Sequence, residues 1–296
     1  SLPLCVASVM GGAMFGDNLS FISDTTIAAC QGQGCQMKDK FRENFKIALP
    51  AALVTLVIIL MLSLGTDISG TVQNDYNLLE LIPYLIVLVG GIVGINVFIV
   101  LLLGILSGSI IVVAEGAVAA TDLLGNMGTG AAGMFETTMV AVLVSAICAL
   151  IRENGGFVAL LNGIKRLFRS RKGGQLGMGL LVGAMDIATA NNTVAIVMAN
   201  PIAHEMAETY NVSRRKTASI LDTFSCVFQG VIPYGAQMLV AISACTELGF
   251  QVSAFQIMPF LFYPFFLLVS SLVFIFFVPD DRGYVPDHAA YHSSSS

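Results

Sequence analysis

The residues best suited to chemistry lie in a short polar stretch that ends an apolar run near the start of the chain. Two carboxylates stand there among small side chains with hydroxyl or amide groups, and the set comprises Asp17, Asn18, Ser20, Ser23, Asp24, Thr25 and Thr26. An ionisable side chain at the centre of a membrane helix costs ~2.5–3.5 kcal/mol, so one that is kept there usually lines a cavity or an ion path. Carboxylate and hydroxyl oxygens are ligands that hard cations prefer. The stretch therefore predicts a cation site at a break in a membrane helix, with a simple turn outside the membrane as the alternative.

Two later stretches have the same character. Residues 186–193 and residues 222–237 each combine an aspartate with small polar or amide side chains, and the second includes Pro233 between Gly230 and Gly235. Proline breaks or kinks a helix, and the carbonyl groups freed at a break can coordinate an ion. The candidate ligands in these stretches are Asp186, Thr189, Asn191, Asn192, Thr193, Asp222, Ser225, Gln229 and Gln237.

The composition indicates the class of protein. Hydrophobic residues make up 56% of the chain and charged residues 11%, with a mean hydropathy of +0.83; a typical soluble domain is about 25% charged. We therefore expect an all-α polytopic membrane protein without a nucleic-acid surface. The six cysteines lack paired metal-ligand spacing, so Cys30 and Cys35 are interpreted as core residues.

The distribution of basic residues predicts how the first half crosses the membrane, because cytoplasmic loops carry the excess of Lys and Arg. Residues 27–46 hold Lys38, Lys40, Arg42 and Lys46, which predicts a cytoplasmic loop, followed by a span at 47–64 and an external loop at 65–80. The apolar stretch 81–114 is too long for one span, since about 20 residues cross the membrane. We divide it into two spans that turn near residues 94–96. A span at 134–151 then leads to the basic residues 152–172, within which 157–168 form either an interfacial helix or an ordinary loop helix.

The second half contains a hairpin and another broken span. Both ends of residues 175–203 are predicted to be cytoplasmic, which favours a re-entrant hairpin with residues 186–193 at its tip. Residues 217–244 form a broken span, residues 255–278 return to the inside, and residues 279–296 form a cytoplasmic, solvated tail. All fourteen Lys and Arg then fall in cytoplasmic loops or in the tail. No membrane carboxylate would then have a basic partner in its own segment, so we expect Asp17, Asp24, Asp186 and Asp222 to be protonated or to bind cations.

This layout has the form of an inverted repeat. The first broken span and its successor run oppositely to the second broken span and its successor, which predicts residues 1–64 as the end of a first repeat and residues 78–278 as the second. Only the last two elements of the first repeat are present, so we expect most of it to precede residue 1. The two breaks and the hairpin tip should meet near the membrane midplane and line one cavity.

Residues 12–26 resemble the signature of the NhaC-type sodium/proton antiporter family, and residues 186–193 and 229–235 fit the later half of that family. The resemblance covers nearly the whole chain except the tail. It implies a cation antiporter of the ion-transporter superfamily in a bacterial-type inner membrane, with inverted repeats, re-entrant hairpins and alternating access. Some members that resemble this family exchange organic acids or amino acids with sodium or protons.

Three functional hypotheses follow. In the favoured one, a secondary antiporter exchanges Na⁺ for H⁺, with Asp17, Asp24 and Asp222 as competing proton and cation carriers. In the alternative, a Na⁺- or H⁺-coupled exchanger moves small organic acids, such as malate or lactate, or amino acids, although the absence of intramembrane Arg or Lys disfavours it. The third is an intramembrane hydrolase, which would need two carboxylates sharing a proton. We expect no enzyme and no cofactor; the expected partners are lipids, a monovalent cation and protons, with a homodimer as a candidate assembly.

Overall fold

The computed structural model describes residues 2–21, 23–64, 77–93, 95–133 and 153–279, together with isolated positions between 139 and 150. These residues form helices and turns, with no strand among them. The α-helices are α1 (Leu2–Asn18), α2 (Asp24–Gln33), α3 (Met37–Ser63), α4 (Ile82–Val93), α5 (Val97–Ala114), α6 (Ala120–Gly133), α7 (Gly156–Leu167), α8 (Arg171–Thr189), α9 (Asn192–Tyr210), α10 (Arg214–Val231), α11 (Ala236–Glu247), α12 (Ala254–Ile257) and α13 (Phe262–Phe277).

The chain divides into two compact units. One joins Ser1–Leu60 to Val144–Ser296, and the other is Met61–Leu143. Within the described residues, α3 is long and apolar enough to cross a membrane by itself, and two bent helix pairs would bring the number of spans to three. The polytopic inverted-repeat arrangement stays a prediction.

The first break is narrower than the sequence pattern predicts. Helix α1 continues through Asp17 and ends at Asn18, and α2 already begins at Asp24. Ser23 caps α2, because its hydroxyl accepts a hydrogen bond from the backbone N–H of Thr26. The polar residues on either side of the break therefore occupy the last turn of one helix and the first turn of the next.

The prediction that residues 27–46 form a loop is wrong, whereas their cytoplasmic location stays a prediction. Most of it is helical, since α2 ends at Gln33 and α3 begins at Met37 and continues to Ser63 as one helix. The buried face of α3 includes Lys40, Asn44, Ile47, Ala48, Ala51 and Thr55, a spacing of three and four residues that keeps these side chains on one side. Because this stripe is buried, α3 begins at Met37, before the apolar span predicted at 47–64.

Helices α8 and α9 form the predicted hairpin with a polar tip. The turn consists of Ala190, which has a left-handed φ of 53°, and Asn191, which caps α9 through the backbone N–H of Val194. Each arm has 19 residues, a length of about 28 Å at 1.5 Å per residue. The arms are longer than predicted, so their length does not decide between a re-entrant hairpin and two full crossings.

The second break also lies where the sequence predicts it. Helices α10 and α11 meet at an angle of 41°, and the intervening residues include Pro233, while Gln229 and Gly230 still belong to α10. In the predicted span at 255–278, a bend of 50° near Leu261 separates α12 and a short 3-10 turn from α13.

The unit Met61–Leu143 confirms the division of residues 81–114 into two helices. Helices α4 and α5 pack against each other, and the side chains of Val100 and Val87 occupy the space beside Gly90 and Gly104. A helix also forms at Gly156–Leu167, as predicted, although its place relative to a membrane stays a prediction. Most of the predicted external loop, most of the span at 134–151 and residues 280–296 lie outside the described residues.

Candidate functional site

A buried ion pair lies at the centre of the larger unit. The Lys40 Nζ atom lies 2.7 Å from Oδ2 of Asp222, and the two side chains are 0% and 1% exposed. Asp222 therefore has a basic partner from another segment, so the prediction that it must be protonated or bind a cation is wrong. The helix α3 that carries Lys40 packs it against α10, so a residue assigned to a cytoplasmic loop reaches the core.

An amide side chain links this pair to the first break. Asn44 Nδ2 donates to Oδ2 of Asp222 at 2.6 Å and to the backbone carbonyl of Asn18 at 2.8 Å. Ser219, one turn before Asp222 on α10, donates a short hydrogen bond to the Asn44 carbonyl oxygen. The Asn44 amide nitrogen thus donates to the ion pair and to the end of α1, while its oxygen accepts from Ser219.

Asp17 and Lys40 meet neighbouring threonines at the start of α2. Thr25 Oγ1 lies 3.3 and 3.2 Å from the two carboxylate oxygens of Asp17 and donates to that carboxylate, whereas Lys40 Nζ donates to Thr26 Oγ1 at 2.6 Å. Asp17 also lies within electrostatic range of Asp222 and Lys40. Two carboxylates and one ammonium group therefore share one region.

The exposed carboxylate of Asp24 lies at the start of two helices. It belongs to the first turn of α2, and Thr193, in the first turn of α9, donates to Asp24 Oδ2 at 2.6 Å. The N-terminal end of a helix carries a partial positive charge that favours an anion. The N-terminal end of α9 thus faces a carboxylate of the protein itself.

The hairpin tip also contacts the second break. Gln229 Nε2 and the backbone N–H of Ala236 both donate to the Ala190 carbonyl, at 3.1 and 3.3 Å. Tyr234 Oη donates to the backbone carbonyl of Ile187 at 2.9 Å. These bonds hold the left-handed turn of the hairpin against both sides of the α10–α11 break.

Several predicted ligands make hydrogen bonds with other groups of the protein. Asn18 Nδ2 lies 3.0 Å from Cys226 Sγ and 3.2 Å from Tyr263 Oη, and Ser225 Oγ donates to the backbone carbonyl of Asp222. The remaining local contacts involve Ser20, whose hydroxyl accepts from the Ser23 N–H, Thr189, which donates to the Met185 carbonyl, and Asn192, whose side chain accepts from the Thr193 N–H. The side-chain carbonyl oxygens of Gln229 and Gln237 are buried, and neither has a hydrogen-bond partner in the described part of the chain.

Both breaks thus contact the hairpin tip, the first through Asp24 and the second through Gln229. Within the part of the chain that the structure describes, no three His, Cys, Asp or Glu side chains converge on one metal position, so Asp17, Asp24 and Asp222 do not form a single ligand cluster. The cavities described along α3 are mainly apolar and are not lined by these aspartates. A shared cavity at the breaks stays a prediction.

Sequence reasoning missed Lys40, Asn44 and Ser219. A signal was present, because Lys40 and Asn44 continue the stripe formed by Ile47, Ala48, Ala51 and Thr55 at helical spacing. Polar residues on the buried stripe of an apolar helix are candidates for partners of a buried charge. Ser219 lies three residues before Asp222, on the same side of α10.

The comparisons with known proteins concern most of the chain. A sequence model of the Na⁺/H⁺ antiporter family matches residues 76–278. The chain is 24% identical to the Na(+)/H(+) antiporter NhaC of Bacillus subtilis (strain 168), and the alignment covers 90% of this chain and 64% of that relative's length. No solved structure matches the chain significantly. The family match includes the hairpin and the second break, whereas Asp17, Asp24 and Lys40 precede it.

Proposed function

Because the chain belongs to the Na⁺/H⁺ antiporter family, we propose that it exchanges Na⁺ for H⁺ by alternating access, with Asp17, Lys40 and Asp222 at the exchange site. Membership in this family indicates a transporter in a membrane. The assignment of the exchange to these three residues rests on their geometry.

The Lys40–Asp222 pair is the observation that carries the proposal. Both groups are excluded from water, and the distance of 2.7 Å makes Lys40 the counter-charge of Asp222. Asp17, in the same region, brings a second carboxylate. With all three groups ionised, the region has two negative charges and one positive charge, so one negative charge is uncompensated.

An uncompensated charge away from water is costly, so this region favours one further positive charge. Either a proton on a carboxylate or a bound Na⁺ supplies that charge. The two ions therefore compete for the same place, and binding of one Na⁺ releases one proton. The hydroxyls of Thr25 and Thr26 and the carbonyl of Asn18 provide neighbouring oxygen atoms for the cation.

The broken helices supply a means of alternating access. Side-chain hydrogen bonds join both breaks to the hairpin: Asp24 accepts from Thr193, Gln229 donates to Ala190 and Tyr234 donates to Ile187. Exchange of these few bonds would let the hairpin move relative to the breaks and open the site to one side or the other.

The geometry gives less support to transport of an organic anion. Thr193 lies in the hairpin at the start of α9, a helix end that favours an anion, and it donates to the carboxylate of Asp24. A carboxylate substrate would have to compete with this internal carboxylate at the same helix end.

Proteoliposomes that contain the full-length protein test the proposal. We expect an imposed pH gradient to drive uptake of radioactive sodium, and Asp222→Asn to reduce this uptake to the level of empty vesicles, because the variant lacks the charge for which Na⁺ and H⁺ compete. Asp122→Asn, at an exposed carboxylate of α6, should retain the wild-type rate.

The same vesicles distinguish the alternative function. Sodium uptake should be independent of added malate or lactate. Sodium uptake that requires one of these acids, or wild-type uptake by Asp222→Asn, would contradict the proposed exchange.

A further inference from the structure

Asp186 is a buried carboxylate that the exchange site does not use. Its side chain is 0% exposed, and neither carboxylate oxygen accepts a hydrogen bond from a side chain or from a well-aligned backbone group in the described structure. No Lys or Arg among the described residues forms an ion pair with it. A buried carboxylate in these surroundings is stable only when it is protonated or paired with a cation.

A second buried oxygen lacks a donor on the neighbouring helix. Gln229 is 1% exposed, and its Oε1 atom has no hydrogen-bond partner among the residues that the structure describes. The Gln229 backbone N–H faces the Asp186 carboxyl group, so the two residues are adjacent across α8 and α10. Two side chains that are almost fully buried thus leave three acceptor oxygens unsatisfied in one region.

The orientation of the Gln229 amide is determined by its other end. Its Nε2 atom donates to the Ala190 carbonyl, which can only accept. A rotation of the amide by 180° would place two acceptor oxygens against each other, so the Gln229 carbonyl oxygen must remain on the side away from Ala190. Ala190 follows Asp186 by one helical turn, and its N–H donates to the backbone carbonyl of Asp186 at 2.7 Å. The hairpin turn therefore holds Asp186 and Gln229 in place.

We propose that Asp186 and the side-chain carbonyl of Gln229 form a second sodium subsite, separate from the Lys40–Asp222 pair. One carboxylate and one amide carbonyl are oxygen ligands of the type that hard cations take. A monovalent cation balances the single charge of Asp186. The inference rests on the proposed sodium exchange, and it assigns a second ion position at the junction of the hairpin and the second break.

The two carboxylates differ in what they require. Asp222 already has the ammonium group of Lys40 and the amide of Asn44. Within the described parts of the chain, Asp186 has neither an ion-pair partner nor a side-chain donor. The carboxylate of Asp186 therefore needs a proton or an external cation, whereas a cation at Asp222 must compete with the ammonium group of Lys40.

Equilibrium binding of radioactive sodium to the purified full-length protein tests the subsite. Asp186→Asn keeps the shape of the side chain and removes its charge, and it should bind one sodium ion fewer per protein than the wild type. Asp122→Asn, at an exposed carboxylate, should bind the wild-type number. An unchanged number and affinity of bound sodium ions in Asp186→Asn would overturn the inference.

A second variant keeps the test decisive if Asp186→Asn does not fold. Gln229→Met retains the length of the side chain without its carbonyl, and it should weaken sodium binding at this subsite about tenfold or more. Wild-type sodium affinity in Gln229→Met would likewise overturn the inference. If Asp186→Asn binds one sodium ion fewer but wild-type vesicles show no sodium-proton exchange, the proposed function is overturned and the subsite is retained. If wild-type vesicles show exchange but Asp186→Asn binds sodium as the wild type does, the subsite is overturned and the proposed function is retained.

Discussion

Lys40 and Asp222 carry opposite charges at a place from which water is excluded, and each depends on the other. Removal of one partner of a buried ion pair leaves an uncompensated charge, which costs roughly 3–5 kcal/mol, whereas replacement of both partners is often far less harmful. Asn44 adds a further hydrogen bond to the same oxygen of Asp222. At the residue scale, the pair therefore contributes to stability as well as to the proposed exchange.

The mutual dependence of Lys40 and Asp222 can be measured by comparing the free energies of unfolding of variants in detergent. Lys40→Met should lower the free energy of unfolding by about 3–5 kcal/mol, because it leaves the Asp222 carboxylate without its counter-charge. The double variant Lys40→Met/Asp222→Asn should lose less than the single variant.

Lys46 provides a matched control on the same helix. It is 55% exposed and lies 3.5 Å from the buried Glu43, which also pairs with Arg215 at 3.3 Å. The loss of Lys46 therefore removes a partly exposed pair, worth only ~0–1 kcal/mol, and leaves Glu43 with a counter-charge. Lys46→Met should therefore be close to the wild type in stability. Equal losses in Lys40→Met and Lys46→Met would show that the buried pair is not required for stability.

At the scale of elements, glycines let the hairpin approach α10 closely. A Cβ atom at Gly179 would lie 2.6 Å from the Phe224 ring, and one at Gly183 would lie 2.3 Å from the Phe228 ring. Both glycines are on α8, one turn apart, and both aromatic rings are on α10. This close contact brings Asp186 of the hairpin beside Gln229.

The close packing predicts that Gly183→Ala destabilises the protein. The added methyl group overlaps the Phe228 ring, and overpacking of this kind typically costs about 1–3 kcal/mol. Displacement of the Phe228 ring by this methyl group should also move Gln229, the next residue along the chain. Thermal unfolding in detergent measures the first effect, and sodium binding measures the second.

Gly128→Ala is the control for this substitution. Gly128 lies within α6, and no atom lies within 4 Å of a Cβ added there. Alanine favours a helix more than glycine does, so this variant should be no less stable than the wild type. A loss of stability in Gly128→Ala as large as that in Gly183→Ala would refute the packing argument.

At the scale of the whole molecule, the orientation in the membrane is predicted from charge alone. Lys38 and Lys172 lie in basic segments that the positive-inside rule assigns to the cytoplasm, whereas Asn126 lies in a segment without basic residues. All three side chains are exposed. They therefore suit labelling from either side of the membrane.

Single cysteines in a background with the native cysteines replaced by alanine test the orientation. An impermeant thiol reagent should label Asn126→Cys in intact cells, and it should label Lys38→Cys and Lys172→Cys only after the membrane is opened. Labelling of Lys172→Cys in intact cells would contradict the predicted two crossings within residues 81–114.

The sequence by itself determined the class, the family resemblance and the polar interruptions of the chain. Apolar composition and helix-breaking residues act locally, so the all-α class, the hairpin tip at residues 186–193 and the second break near Pro233 could be predicted without any knowledge of packing. Family membership at residues 76–278 agrees with that prediction.

Tertiary structure decided which charges meet. Lys40 and Asp222 are separated by 182 positions along the chain, yet their side chains form an ion pair because α3 packs its polar stripe against α10. Loop assignment from charge placed Lys40 in water, since a lysine in a basic segment is usually solvated. Only the packing of helices could show that this ammonium group is buried beside Asp222, while Asp186, on the neighbouring hairpin, is buried without an ion-pair partner in the described structure.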